Sequence, residues 1–347
     1  IPLFSQIYPG NQPDSVTFES VTDDLVARYH LLAKEAEHVT VVFDKGNNSK
    51  ENLEAVATAP YHVVGSLVPA HHPDLLAVPL KNFVSFEDPR LENVLAYRIK
   101  KKIWKREWTI VITRSESLLQ GQLRGIAQHL AKRRKSLIAL QTKLKHSQMP
   151  GAKGKGYTRT SLEKHARELA QGQYLKEILE IEVTGKRRRL AISFRTNSNA
   201  LERLTRTVLG KRIIFTDNDD WSTEEIVIGY RSQYHIEAAF RQMKDPFFVS
   251  FTPVRHWTDQ KIRVHAFYCV LALALANLLR REMARQGIAL STDALLNELD
   301  AIQEIVNLYP TEDTAGGRPS TRRVLTRRTP LQERLFSALN LRRFQQG

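Results

Sequence analysis

Two carboxylates stand at positions where a folded chain gives a charge work to do. Asp44 closes the apolar run His38-Val-Thr-Val-Val-Phe-Asp44 and precedes Lys45-Gly46-Asn47. Such a run fits a strand buried on both faces, and in open α/β sheets the carboxyl edge of those strands is where ligands bind. Taken alone, Asp44 could equally begin an Asp-Lys-Gly turn. Glu237 is the second carboxylate. Ile226, Tyr230, Gln233, Glu237, Phe240 and Lys244 recur at spacings of three and four, so on one helix they share a stripe. A carboxylate in a core-facing stripe is costly unless a metal or a cation meets it. The plainer alternative leaves Glu237 on a solvated edge, paired with Arg241 one turn on.

The elements around these residues follow from local signals. Ile1 to Tyr8 reads as a strand ended by Pro9-Gly10-Asn11, and Asp14 or Ser15 can cap a helix running to about Ala36. After the Asp44 strand, Asn48 or Ser49 caps a second helix, with Glu51 placed to complete a box with Asn48. Tyr61 to Val68 is another strand, so residues 1–68 alternate strand and helix as one part of an α/β core. Pro69 to Pro79 breaks the rhythm and opens a basic α+β insertion over 69–220. It holds a hairpin (Val94–Lys102 with Trp108–Thr113), a helix from Ser117 to His146, a linker from Pro150 to Gly156 and a helix from Ser161 to Ala170. Strands follow at Ile178–Val183, Arg189–Phe194 and Ile213–Phe215. Residues 221–285 return to the core. Ser222 and Glu225 box the start of a helix that runs to Lys244, Trp221 and Ile226 staple it, a strand follows at Phe247–Phe251, and an apolar helix spans Val264–Arg281. Residues 286–347 form a helical region and a basic tail, loosely ordered from Thr311.

The 347 residues carry 52 Lys+Arg against 37 Asp+Glu, a formal charge of +15. Between Leu95 and Phe215 there are 29 basic and 8 acidic residues, while the rest of the chain holds 23 and 29. A localised basic region attracts a polyanion through counterion release, and nucleic acid is the partner it points to; a solvated basic surface is the bland alternative. Cys269 alone cannot form an internal disulfide, which points to a reducing compartment. The apolar run Ala266–Leu279 falls short of the roughly 18–20 residues that span a bilayer, and the first residues lack the layout of a signal peptide. A soluble intracellular protein is expected. No P-loop and no Gly-x-Ser-x-Gly elbow is present, which weighs against an NTPase or a serine hydrolase. His71-His72 is not spaced for zinc and reads as loop. Trp104 and Trp108 read as packing residues of the hairpin, with stacking on an extruded base as the other option.

The spacing Tyr230-x2-Gln233-x3-Glu237-x6-Lys244 resembles the tyrosine-x2-arginine-x3-glutamate-x6-lysine signature of the DDE transposases of insertion-sequence family four, with Gln233 in the arginine position. Two further stretches are similar to that family: Ile1-Pro-Leu-Phe4 with Pro9, Gly10, Asn11 and Asp14, and Val42-Phe-Asp44-Lys-Gly46 with Glu51-Asn-Leu53. Together they span about Ile1 to Leu279. The resemblance implies an RNase H-like (retroviral-integrase-like) core interrupted by the basic α+β insertion. It implies metal-dependent cleavage and strand transfer at the ends of an insertion sequence. Asp44 would be the second aspartate and Glu237 the glutamate of a site holding two ions, Mg²⁺ or Mn²⁺, which suit hard oxygen ligands. Tyr230, Gln233, Arg241 and Lys244 would contact DNA, Gln233 without the charge of an arginine. Implied partners are double-stranded DNA, as terminal repeats and target, and a second copy in a paired-end complex. No membrane is involved, and the setting is the cytoplasm of a prokaryote, on chromosomal DNA. The family's first aspartate lies on a strand ahead of the stretch matching Ile1–Tyr8, and the sequence does not include it; a fragment is therefore expected. Two other classes stay open: an inactive, transposase-derived DNA-binding protein, and a basic RNA-binding or structural protein with a coincidental signature.

Overall fold

In the computed structural model, residues 2, 4–9, 11–12, 14–32, 39–44, 52, 54, 61–151, 156–186, 189–309 and 320–344 are described. The Lys45-Gly46-Asn47 turn, the Asn48–Glu51 box, Leu53, the centre of the Pro150–Gly156 linker and the start of the tail lie outside them. The chain divides into two units, one of Gln12–Asp23 with Glu35–Gln233, the other of Ile1–Asn11, Asp24–Lys34 and Tyr234–Gly347.

The first unit is mixed α/β, built on one mixed sheet of six strands. In chain order they are β1 (Thr40–Val42), β2 (His62–Leu67), β3 (Val84–Ser85), β4 (Val94–Ile103), β5 (Arg106–Ser115) and, after further elements, β8 (Lys211–Thr216). The sheet order is β1-β2-β8-β5-β4-β3, with β1 and β2 parallel and every other neighbour antiparallel. One face packs Phe43, Phe215 and Trp108 ring against ring, with Phe18 from helix α1 (Asp14–Leu32) on Phe43. Trp108 is buried and its Nε1–H donates to the Ile103 carbonyl, so it is a packing residue. Trp104 is different. With Lys105 it forms the two-residue turn of the β4–β5 hairpin, both at positive φ as the twist of a tight hairpin demands, and its ring is partly exposed.

The extent of this sheet corrects the expected boundary at residue 69. β4, β5 and β8 come from the segment assigned to an insertion, yet they extend the same sheet as β1 and β2. Strands such as β5 and β8 bury side chains on both faces, and each needs a paired neighbour on both sides. What builds a core of its own lies between them. Helix α2 (Glu116–Ser147) packs Leu137, Leu140 and Leu144 on helix α3 (Arg159–Leu169) and on the hairpin β6 (Leu179–Thr184) and β7 (Ala191–Thr196). Helix α4 (Ser198–Thr207), capped by Asn197, was not anticipated.

The second unit contains α6 (Tyr234–Lys244), which follows α5 (Thr223–Arg231) of the first unit, then α7 (Asp259–Arg285), α8 (Thr292–Asp300), the antiparallel hairpin β9 (Glu304–Tyr309) and β10 (Ser320–Leu325), and α9 (Pro330–Ala338). Three expectations change here. Phe247–Phe251 is a turn, not a strand, because Asp245 gathers the N–H groups of Phe247, Phe248 and Ser250. The tail is ordered past residue 320, with Thr329 and Gln332 boxing the start of α9. Helix α7 outgrows the apolar run Ala266–Leu279 at both ends, and its 27 residues are long and apolar enough to cross a membrane by length and composition. Residues 4–9 pair with no strand, so the expected strand at Ile1–Tyr8 does not form among the described residues.

Candidate active site at one edge of the sheet

The face of the sheet opposite the ring stack carries its apolar residues in mid-strand and polar ones toward both ends. Val42, Val64, Ile214 and Val111 lie in phase, and α5 covers them with Ile226, Val227 and Tyr230. Each such residue fully buried stabilises by roughly 1.5–3 kcal/mol, which fixes the register. Side chains alternate along a strand, so the residue two places on from each of these shares its face. On β1 that residue is Asp44, on β2 Ser66, on β8, which runs the other way, Arg212, and on β5 Thr113. A polar row therefore follows the carboxyl edge of the parallel pair. This is the edge at which open sheets bind ligands.

Tyr230 reaches this row from the last turn of α5. Its hydroxyl lies 2.9 Å from Ser66 Oγ and 3.3 Å from Asp44 Oδ1. A phenol has one proton, and a carboxylate can only accept, so the arrangement in which Tyr230 donates to Asp44 and receives the Ser66 proton satisfies all three groups. Burial raises the Tyr230 phenol above its ordinary value and the Asp44 charge adds to this, while Ser66 and Arg212 act in the other direction. Arg212 places its guanidinium 5.2 Å from the centre of the Tyr230 ring. Gly229 is required just before: a Cβ there would come within 2.8 Å of Trp221, which packs on this helix.

Of the residues singled out in the sequence, the structure brings Asp44 and Tyr230 together. Asp44 is exposed at its strand end, as expected of a ligand-facing carboxylate. Tyr230 is 4% exposed, and its hydroxyl, engaged by Ser66 and Asp44, braces the carboxylate. The single helix expected from Ser222 to Lys244 is also corrected. It stops at Arg231 and restarts at Tyr234, since the Ser232 hydroxyl donates back to the Gly229 carbonyl and the Gln233 N–H to the Tyr230 carbonyl, tightening the last turn. The shared stripe ends with it. Ile226 and Tyr230 are buried, whereas Glu237, Phe240, Arg241 and Lys244 lie exposed on α6. Glu237 is thus neither core-facing nor ion-paired with Arg241 among the described residues. Gln233 is half-buried, and its Nε2 finds no partner among them.

Ser66 and Arg212 were missed, although a signal for both exists. Each falls two residues from an apolar position, Val64 and Ile214, in a strand with period two. Among the described residues no group of three or more His, Cys, Asp or Glu side chains gathers as a metal centre. Asp44 itself offers hard carboxylate oxygens of the kind Mg²⁺ takes. Comparison of the chain with family models, with curated proteins and with solved structures gives no match.

Proposed function

We propose that the protein is a DDE-type DNA transposase of an insertion sequence, cutting and joining DNA strands by metal-dependent phosphoryl transfer on an RNase H-like core. One observation carries this reading: the tyrosine of the signature stretch donates to the aspartate at the strand end, across 186 residues of sequence, in the same unit. The localised basic charge supports a DNA partner.

Within this reading Asp44 would supply carboxylate oxygens to divalent ions, Mg²⁺ or Mn²⁺, and the resemblance assigns Glu237 the same role. When bound, those ions activate the attacking water or 3′-hydroxyl and stabilise the leaving oxygen. Tyr230, itself engaged by Ser66, fixes the rotamer of Asp44, which spares the site a reorganisation on binding. Arg241 and Lys244 neutralise phosphate charge, and Gln233 donates without charge. A second copy completes the paired-end complex on two DNA ends.

The test is Mg²⁺-dependent cleavage of the element's own ends by the product of the full reading frame, beside an Asp44→Asn Glu237→Gln double variant. Cutting by the wild type and loss of about three orders of magnitude in the variant, roughly 4 kcal/mol of barrier, is the expected result. Sequence-specific binding of those ends without any cutting, in Mg²⁺ or Mn²⁺, would reduce the protein to a DNA-binding relic.

A further inference from the structure

Beside Tyr230, where β5 and β8 meet the first turn of α2 and the last turn of α5, the edge opens into a cleft of about 260 Å³. Two guanidiniums, Arg212 and Arg231, line it together with the hydroxyl-bearing residues Thr113, Ser115 and Ser117. No Asp or Glu does. Arg212 faces into the site because it stands opposite Thr113 and in phase with Ile214, on the face that α5 covers. Arg231 is held from behind: its Nη1 donates to the Arg90 carbonyl at 2.9 Å. Neither guanidinium has an ion-pair partner among the described residues, although Arg90 nearby is paired with Asp88.

Two guanidiniums turned into one cleft repel each other. Burial, with Arg212 adding to it, lowers the Arg231 guanidinium from its ordinary value. The frame around them is nevertheless fixed. Gly210, at φ +76°, lets β8 begin against the start of α2, so that the Ser115 N–H donates to the Gly210 carbonyl and the Gly210 N–H to Gln122. Ser115 Oγ accepts from the Leu118 N–H and shares a 2.8 Å hydrogen bond with Ser117 Oγ. The positive end of a 32-residue helix thereby adds to the two cations. An arrangement that repels itself and yet is held in place is stabilised when an anion enters it.

We propose that this cleft binds one phosphate group, with Arg212 and Arg231 as the charged clamp and the Ser115, Ser117 and Thr113 hydroxyls as further donors. The guanidinium forks match a tetrahedral oxyanion in shape, and hydroxyls complete the shell at neutral cost in charge. The phosphate has two possible sources, a backbone phosphodiester of a DNA strand or free inorganic phosphate. The inference deepens the cleavage reading and rests on it only for the strand as the source.

The experiment measures thermal unfolding of the full chain in inorganic phosphate against chloride at matched ionic strength, and salt-dependent binding of a labelled DNA duplex. It uses the wild type, Arg212→Gln, Arg231→Gln, Arg212→Lys and, as an unrelated cation, Lys132→Gln. Expected is a saturable rise in midpoint with phosphate in the wild type and in Lys132→Gln, its loss in both glutamine variants, and partial retention in Arg212→Lys. If the strand is the source, Arg212→Gln also flattens the dependence of log K on log salt by about one and weakens the duplex about tenfold. If duplex binding is unchanged while the phosphate response is lost, the source is free phosphate and the site stands. A wild type that responds to phosphate as it does to chloride, or glutamine variants that respond like the wild type, would overturn the proposal. Failure of the cleavage assay alone leaves the phosphate response in place and condemns only the transposase reading.

Discussion

At the edge of the sheet where β2 begins and β8 ends, cations meet acids. Arg106 reaches Asp217 at 3.1 Å, Lys100 pairs with Asp219, and the same two acids accept from the Val63 N–H and the Thr109 hydroxyl. Thr216 and Asn218 complete the closure by bonding to the Val63 carbonyl and to Thr40. At the opposite edge Arg212 and Arg231 share a cleft that no acid lines, and Asp44 accepts from the neutral Tyr230 hydroxyl, which Ser66 in turn engages. The same sheet supplies both edges. The difference teaches that pairing a charge internally fixes structure, whereas leaving like charges together sacrifices some stability and keeps them available to a ligand.

If that contrast holds, the closed edge is where substitution costs most in stability. Asp217→Ala removes the acceptor of the Val63 N–H at 2.8 Å and the partner of Arg106, whose guanidinium also lies over Trp108. The Asp217 side chain is only 9% exposed. Losing a buried acceptor together with one partner of an ion pair should lower the unfolding free energy by about 2–3 kcal/mol, read from urea denaturation. A loss below about 0.5 kcal/mol would show that the closed edge is ornamental and would break the comparison.

How much of each edge was legible in the sequence follows from how local its signals are. Asp44 at its strand end, the helix from Asp14 and the strand after Tyr61 were visible because capped helices and apolar runs are short-range patterns, whereas the strand expected at Ile1–Tyr8 did not form among the described residues. The Ser222–Glu225 box was visible for the same reason, and both of its hydrogen bonds form. The helix break at Ser232 was not, since it depends on a serine bonding back to a carbonyl within a stretch whose spacing reads as continuous helix. The partnership of β2 with β8, separated by more than 140 residues, was invisible too. Pairing of distant strands is set by tertiary burial and leaves no mark at fixed spacing, so the polar row of Asp44, Ser66 and Arg212 could not be assembled from sequence. Arg212 was counted there only as one charge in a basic region.

Tyr230→Phe sharpens the contrast from the open edge. It deletes one oxygen and keeps the ring that packs on Ile226, Ile214 and Arg212. Asp44 is exposed and can turn to solvent, and the buried Ser66 loses only one partner, so the loss should be about 1 kcal/mol in unfolding free energy. Cleavage should fall further, about tenfold, because Asp44 then has to be fixed on binding. A stability loss as large as that of Asp217→Ala, with cleavage unchanged, would make Tyr230 a structural residue and remove the distinction between the edges.

The smallest effect expected lies at Asp219, which is on the closed edge but half exposed. Its carboxyl is held below the ordinary value of 3.8, first by the hydrogen bond from Lys100 and then by that from Thr109. A depressed carboxylate contributes stability that is complete above 3.8 and is lost as pH falls through its folded value. Because solvent screens both partners, that contribution should stay below about 1 kcal/mol, and Asp219→Asn should differ from the wild type near neutrality by no more than this. The direct measurement is the carbon NMR titration of Asp219, with a midpoint below 3.8 in the wild type that moves up toward it in Lys100→Gln. A midpoint at or above 3.8 in the wild type would mean that the Lys100 contact does not persist in solution. The closure of this edge would then rest on Asp217, Thr216 and Asn218, whose partners are backbone groups and β-strand hydroxyls as well as charges.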